Sequence, residues 1–179
     1  RSVAFRENYT AAPVVIDGIP LVANSIWACV DGGTDADVAA SLLTTKSVGC
    51  DWNGAVSVNV VDQFSGQTYP VSFDRPTPQA ILVNVTVKPG TLANPIAAVK
   101  QAVLDYANGL LLNEPGFTIG TDVSAFELAA AINSQLPGIF VQFVEVAFAS
   151  MTPTWLSLLT IATDEKATVD ASAIAVTVL

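Results

Sequence analysis

Three aspartates, Asp31, Asp35 and Asp37, lie within seven positions of the sequence around the pair Gly32-Gly33. Carboxylate oxygens are the ligands that Ca²⁺ and Mg²⁺ prefer in proteins, and glycines between a strand and a helix are typical of loops that bind phosphate. The residue types alone therefore allow two kinds of site. One is a divalent-metal site built from the carboxylates, and the other is a nucleotide-binding loop.

The spacing of these residues completes neither motif. A helix–loop–helix calcium site counted from Asp31 requires glycine at its sixth position and glutamate at its twelfth, where the sequence has Ala36 and Leu42. A dinucleotide loop requires a third glycine at its own spacing, which the stretch does not contain. The pair Lys46-Ser47 follows Thr45, where a mononucleotide loop requires glycine.

A helix start is the simpler interpretation of the same stretch. Thr34 is a good N-cap residue, and Asp35 and Asp37 then lie in the first turn, where each carboxylate interacts favourably with the helix dipole by about 0.3–1 kcal/mol. The apolar residues that follow at helical spacing are Val38, Ala39, Leu42 and Leu43. The sequence predicts a capped helix that ends near Lys46 and Gly49, with a loosely held cation as the alternative.

The chain contains no histidine and two cysteines, Cys29 and Cys50. The absence of histidine removes the usual general base near neutral pH, the histidine-activated nucleophile pairs and the commonest zinc ligand. Asp51 beside Cys50 should raise the pKa of that thiol, so we interpret the segment as a tight turn with Asn53-Gly54 and not as a nucleophile. Cys29 lies in an apolar run, which predicts a buried free thiol, with a Cys29–Cys50 disulfide as the alternative.

The remaining candidates also favour structural roles. Asn8 and Asn84 each begin a glycosylation acceptor pattern, but Asn84 falls inside a predicted strand, and we interpret both as chance matches. Asp164-Glu165 is predicted at a hairpin tip, where charge serves solubility. The sequence therefore predicts that the chain is not an enzyme, with no catalytic residue, no cofactor-binding residue and no metal ligand.

The composition limits the classes of partner. Hydrophobic residues make up 51% of the chain and charged residues 13%, with a mean hydropathy of +0.52. No apolar run reaches the roughly 18–20 residues of a membrane span, so the apolar excess is expected in strands covered on both faces or against other protein chains. The net charge of −9 argues against binding to nucleic acid and to anionic membranes.

The first part of the chain, residues 1–75, predicts an α+β domain of the order β-α-β-β. Residues 1–20 form an extended lead-in, and the apolar strand 25–30 precedes the helix described above. Residues 55–61 alternate valine with small polar residues and should pair as a hairpin with residues 68–73. Pro70 within the returning strand predicts that this strand has a free edge.

A Pro-rich linker, residues 76–79, is predicted to precede a second α+β domain, residues 80–179, of the order β-α-α-β-β-β. The strands predicted for this domain are 81–88, 139–148 and a final hairpin of 155–163 with 171–179. The whole chain is thus predicted as two small tandem α+β domains with mainly antiparallel or mixed sheets.

Two helices are predicted in this second domain. Asn94 caps the first, Pro95 occupies its first position, and an apolar stripe follows from Ile96 to Leu110. Ser124 and Glu127 have capping-box spacing at the start of the second helix.

Several short segments follow one another in an informative order. "DGIPLVANS" precedes a strand, a Gly-Gly turn and the helix "DADVAASLLTTKSVG"; then come "WNG", a valine-rich strand, the hairpin "SGQTYPVSFDRP" and the strand "ILVNVTVK". This succession resembles the baseplate J-like family of contractile-tailed bacteriophages. The later segment "GTDVSAFELAAAINSQLPGIFVQFVEV" is similar to the C-terminal region of that family. The resemblance covers roughly residues 14–179.

The resemblance implies a structural role without catalytic residues. It implies a wedge subunit of the virion tail baseplate, assembled in the host bacterial cytoplasm, which contacts copies of itself and other baseplate wedge proteins. Arg1 in place of methionine predicts that the chain is a fragment of a longer protein, of a phage, a prophage or a phage-derived secretion device. The alternatives are a secreted or surface-exposed, adhesin-like binding module and a cation-dependent enzyme that uses Asp31, Asp35 and Asp37.

Overall fold

The computed structural model describes residues 1–46, 49–88 and 90–179. Contacts between Cα atoms divide the chain into two compact units. The first unit consists of residues 1–77 with residues 162–165, and the second consists of residues 78–161 with residues 166–179. Residues 77–79 of the predicted linker lie in a strand.

Among the described residues, the first unit contains one helix and seven strands. They are β1 (Ser2–Asn8), β2 (Val14–Ile16), β3 (Ile19–Leu21), β4 (Ser25–Asp31), α1 (Asp35–Thr45), β5 (Asp51–Asn53), β6 (Val56–Val61) and β7 (Thr68–Phe73). β4 is central, because it pairs with β1 in antiparallel and with β5 in parallel orientation. Ser25–Cys29 in β4 are buried, so this strand is covered on both faces.

The predicted lead-in is extended and paired. β1 lies along the whole of β4, from Ser2 opposite Asp31 to Asn8 opposite Ser25, and β2 and β3 form a short hairpin. Asn8 is buried, and its side-chain amide donates to the carbonyl groups of Ala12 and Val22 at 2.8 and 2.7 Å. The Asn8 side chain therefore stabilises the conformation of the loop after β1.

The predicted hairpin of residues 55–61 with 68–73 is confirmed as β6 and β7. The N–H of Asp62 donates to the carbonyl of Gln67, and hydrogen-bonded pairs alternate along an antiparallel ladder. Pro70, opposite Asn59, therefore occupies a position whose nitrogen points away from β6. Among the described residues the β6–β7 sheet has no third strand, which confirms the predicted free edge at Pro70.

In the part of the second unit that the structure describes, two helices pack against a mixed sheet. Its elements are β8 (Thr77–Lys88), α2 (Pro95–Ala107), β9 (Val123–Ser124), α3 (Ala125–Gln135), β10 (Phe140–Phe148), β11 (Leu158–Leu159), β12 (Glu165–Thr168) and β13 (Ile174–Val178). β8 is central: it lies between β10 and β12, and it also pairs with β13 in parallel orientation. Its inward residues, Ile81, Val83, Val85 and Val87, are buried as the alternation predicts.

The two helices differ in how they begin. α2 has Asn94 as its N-cap, whose side chain accepts from the N–H of Ala97, and Pro95 in its first turn, as predicted. The predicted capping box of α3 is wrong, because Ser124 makes no side-chain cap hydrogen bond. Glu127 instead accepts a hydrogen bond of 2.7 Å from the hydroxyl of Tyr106 on α2. Burial and this carboxylate raise the pKa of Tyr106 well above its ordinary value.

Two further predictions for the second unit are also wrong, the extent of the apolar stripe on α2 and the final hairpin. α2 ends at Ala107, and Ile96 and Leu110, at the two ends of the predicted stripe, are exposed. The predicted final hairpin does not form, because β11 pairs with β9 while β13 pairs with β8. The polar segment between these strands contains β12, and Asp164 lies in the turn before it, with Glu165 as its first residue. Local alternation identifies strands, but it does not select their partners.

The fold class is α+β, as predicted, with mainly antiparallel and mixed sheets. None of the helices in the described ranges is long and apolar enough to cross a membrane.

Two substitutions on α3 test the position of the core. Leu128 is fully buried, so Leu128→Ala should lower the free energy of unfolding by about 2–5 kcal/mol, because it removes apolar contacts and leaves a cavity. Phe126, two positions earlier, is 75% exposed, and Phe126→Ala should change the free energy of unfolding by no more than about 0.5 kcal/mol. Urea denaturation of both variants measures the difference. Equal losses of unfolding free energy in the two variants would contradict the assignment of Leu128 to the buried face of α3 and of Phe126 to its exposed face.

Candidate functional site

The Gly-Gly turn that follows β4 is held by the guanidinium group of Arg75. Its Nη1 donates to the carbonyl groups of Val30 and Gly32 at 2.9 and 2.7 Å, and its Nη2 donates to the carbonyl of Gly33 at 3.0 Å. Nη2 and Nε also donate to Oδ1 of Asp35 at 2.6 and 3.1 Å. One side chain thus binds three backbone carbonyl groups and one carboxylate.

The two glycines allow this arrangement. Gly32 and Gly33 have φ angles of +87° and +74°, in the left-handed region that favours glycine. Two consecutive residues in this conformation reverse the chain, and Arg75 contacts the carbonyl groups on both sides of the reversal. The planar five-donor fork of arginine can satisfy several acceptors at once, which the single ammonium group of lysine cannot do with the same geometry.

Asp74, the residue before this arginine, connects two further segments. Its Oδ2 accepts from the indole N–H of Trp27, and its Oδ1 accepts from the N–H of Ala55, both at 2.6 Å. Its backbone N–H donates to the carbonyl of Ala28, and its carbonyl accepts from the N–H of Val30. Asp74 therefore joins the end of β7 to β4 and to the start of β6.

The three aspartates of the sequence analysis have separate roles. Asp35 pairs with Arg75, and Thr34 caps α1 by accepting from the N–H of Asp37 at 3.2 Å, which confirms the predicted cap. Asp31 is the last residue of β4. Within residues 1–46, 49–88 and 90–179, no three side chains of the types that bind metals are grouped closely enough to hold an ion.

The first unit has a cleft of about 1210 Å³ between α1, β5 and the β6–β7 hairpin. Its aromatic lining residues are Trp52 from β5, Tyr69 from β7 and Phe64 from the hairpin loop. Its ionisable lining residues are Lys46, Asp51 and Asp62. Ligand sites combine apolar walls with a few polar groups, and this cleft has such a lining, although its volume is above the about 300–1,000 Å³ that is common for these sites.

The loop that carries Phe64 is ordered by its own hydrogen bonds. Asp62 accepts from the N–H groups of Phe64 and Ser65 and from the hydroxyl of Ser65, which also lower the pKa of its carboxyl group. The N–H of Gly66, at a φ of +70°, donates to the carbonyl of Asp62. Phe64 itself is 100% exposed, so the loop presents an aromatic ring to solvent without using it for internal packing.

A second surface with exposed aromatic side chains lies on the sheet of the second unit. The pairing register places Phe140 opposite Lys88 and Phe143 opposite Thr86, on the face of β8 that alternates with its buried valines. Thr177 of β13 lies opposite Thr86 on the same face. Phe140 and Phe143 are 63% and 55% exposed. We call this surface, defined by Phe140, Phe143, Thr86, Lys88 and Thr177, the open sheet face.

The other predicted candidates have structural environments. Cys29 is a buried free thiol, as predicted, and Cys50 is a half-buried free thiol. Burial, with a contribution from Asp74, raises the pKa of the Cys29 thiol to about 11. Asn84 lies within β8, and its amide donates to Glu145 at 2.9 Å. The pair Lys46-Ser47 was considered above as part of a nucleotide loop; Ser47 lies outside the described residues.

Neither the Arg75 contacts nor the cleft could be predicted from the sequence. The residues of the Arg75 contacts and of the cleft come from segments far apart in the chain, and no short sequence motif indicates that these segments contact each other. The available signal was an unpaired aromatic residue, Phe64, among the turn residues of "DQFSGQ".

Comparison of the chain with protein-family models gives no match, and comparison with curated proteins gives none either.

Replacing Arg75 tests how much the turn depends on its fork of donors. Arg75→Lys keeps the charge but loses most of the five hydrogen bonds, so it should lower the free energy of unfolding by about 1–3 kcal/mol. Arg6→Lys is the matched control, because Arg6 makes an exposed pair with Asp17 that should contribute less than about 1 kcal/mol. Denaturation curves that show equal, small losses would contradict the role assigned to Arg75.

The raised pKa of Cys29 predicts a loss of stability at alkaline pH. The unfolded thiol ionises near its ordinary pKa of 9.0 and the folded thiol near 11, so this contribution is complete below pH 9 and falls as the pH rises to 11. Unfolding free energies should therefore fall less steeply over this range in Cys29→Ala than in the unmodified chain. In Cys50→Ala the unfolding free energy should fall over this pH range as steeply as in the unmodified chain. Parallel curves for the unmodified chain and Cys29→Ala would contradict the assignment.

Proposed function

We propose that this chain is a structural subunit of a contractile-tail baseplate, of a phage or of a prophage-derived particle, and that it acts by assembly with other proteins. The observation that carries the proposal is the open sheet face, which leaves two large aromatic side chains of one strand in water. Soluble proteins seldom expose contiguous apolar patches unless these contact a partner. Phenylalanine is among the residues enriched in protein interfaces.

The order of the resembling segments supports the same proposal. The Gly-Gly turn and the Arg-Pro end of the hairpin were part of the resemblance to the baseplate J-like family. These segments lie 40 positions apart, and Arg75 joins them through Asp35. If this chain shared its local structure with the baseplate J-like family, the segments in which the two are similar would be expected to contact each other. Other baseplate wedge proteins and further copies of this chain are the proposed partners, with the virion tail baseplate as the location.

The proposed mechanism is mechanical. Each unit has its own hydrophobic core and would behave as a compact building block of a ring that rearranges when the tail contracts. The proposal assigns no chemical step to any side chain.

A binding module without catalysis is the second candidate. The observation that favours it is the aromatic cleft of the first unit, whose lining of apolar and a few polar groups suits a bound ligand. The free thiols of Cys29 and Cys50 give no support to the disulfide that would have favoured a secreted form of this module.

Immunogold electron microscopy of tail particles from the source tests the proposal directly. Antibody raised against the 179-residue chain should label the distal end of contractile tails in an induced lysate. Labelled sheath protein serves as the positive control. A lysate in which the sheath is labelled and no gold lies at any tail end would refute the baseplate function and leave the binding module as the better account.

Substitution of the open sheet face links that location to the structure. Phe143→Ser in the source should reduce the number of complete tails at least about ten-fold, because a polar side chain would replace an aromatic contact of the interface. Phe126→Ser changes a phenylalanine on α3 that is more exposed, 75% against 55% for Phe143, and should leave tail assembly unchanged. Circular dichroism of both purified variants checks that they fold. Equal tail numbers from the two variants would contradict the role of this face.

A further inference from the structure

The cleft of the first unit already accommodates one cation. The ammonium group of Lys46 lies 4.9 Å from the centre of the Trp52 ring, within the distance at which a cation is attracted to an aromatic face. Both residues line the cleft. The ring face of Trp52 is therefore directed where a positively charged group can reach it, and Lys46 of the same chain occupies that place.

The other ionisable groups of the cleft are acidic. Asp51 and Asp62 also line it, so the lining carries one positive and two negative charges. Hydrogen bonds from Ser65 and Phe64 favour the charged form of Asp62 and lower the pKa of its carboxyl group. With a net charge of −9, the chain as a whole also attracts cations. A cationic ligand thus fits both the aromatic face and the charge of the lining.

The shape of the cleft favours an extended ligand. One wall is the free edge of β7, where Pro70 and Ser72 line the cleft, and Tyr69 lies on the same strand. An unpaired strand edge presents backbone groups that an extended peptide can contact, although Pro70 offers only its carbonyl. Phe64 lies on a loop that is held by its own hydrogen bonds to Asp62. Preformed contacts reduce the entropy lost on binding.

We infer that this cleft binds an extended, basic segment of a partner protein, with an arginine or lysine side chain replacing Lys46 on the Trp52 ring. The inference does not require the baseplate function. A sugar ring is the less suitable occupant, because it would displace the ammonium group of Lys46 from Trp52 without replacing its charge.

Nuclear magnetic resonance of the full chain tests the inference at the tryptophan concerned. The chain has three tryptophans and therefore three indole N–H signals, and Trp52→Phe identifies the signal of Trp52. The probe is a five-residue peptide of alternating valine and arginine. It should shift the Trp52 signal saturably, with a dissociation constant below about 1 mM. The same peptide with neutral citrulline in place of arginine should bind at least about ten-fold more weakly.

Two lysine variants separate competition at Trp52 from general attraction. Lys46→Ala vacates the ring face and should bind the arginine peptide about three- to ten-fold more tightly. Lys88→Ala makes the same change in net charge, but Lys88 does not line the cleft, and its affinity should stay within about two-fold of that of the unmodified chain. Asp51→Asn should weaken binding several-fold, since it removes one of the two carboxylates.

Three results would overturn the inference. Equal binding of the arginine and citrulline peptides would show an apolar site without selection for charge. Equal gains in Lys46→Ala and Lys88→Ala would show attraction to the net charge alone. A Trp52 signal that the arginine peptide does not move, and that a neutral chito-oligosaccharide does move, would identify a carbohydrate site instead.

Discussion

The first unit depends on the hydrogen bonds of two adjacent residues, Asp74 and Arg75. Asp74 binds the Trp27 indole and the start of β6, and Arg75 binds the turn between β4 and α1. Buried or half-buried polar groups of this kind stabilise a fold only when all their partners are satisfied, because an unpaired donor costs about 1–3 kcal/mol. The pair therefore fixes the positions of β4, α1 and the β6–β7 hairpin together, and α1 and the hairpin form two of the walls of the cleft.

The proposed functions depend on exposed surfaces of the chain. The two cores account for much of the high apolar content, but the open sheet face and Phe64 leave aromatic side chains in solvent. The proposed assembly function would cover the first of these surfaces. The cleft is a different feature, since its lining combines aromatic rings with an excess of negative charge. A chain with both features can contact more than one partner, and each contact can be tested without the other.

Local patterns predicted much of this fold, and contacts between distant segments account for what they missed. The alternation in β8, the caps Thr34 and Asn94 and the β6–β7 hairpin all depend on residues a few positions apart. The final hairpin was wrong because β13 pairs with β8, about 90 residues earlier, and alternation does not encode a partner. Asp35 was predicted as a first-turn residue, and the sequence did not reveal that Arg75 binds it. The cleft was missed for the same reason.

Native-state hydrogen exchange in Asp74→Ala tests the central claim most directly. This substitution removes the acceptor of the Trp27 indole and of the Ala55 N–H. If Asp74 and Arg75 fix the first unit, amide protection should fall together in β4, the start of α1 and β6, and it should stay unchanged in β8 and β10. Loss of protection confined to the residues next to position 74, with β4 and α1 still protected, would contradict the account.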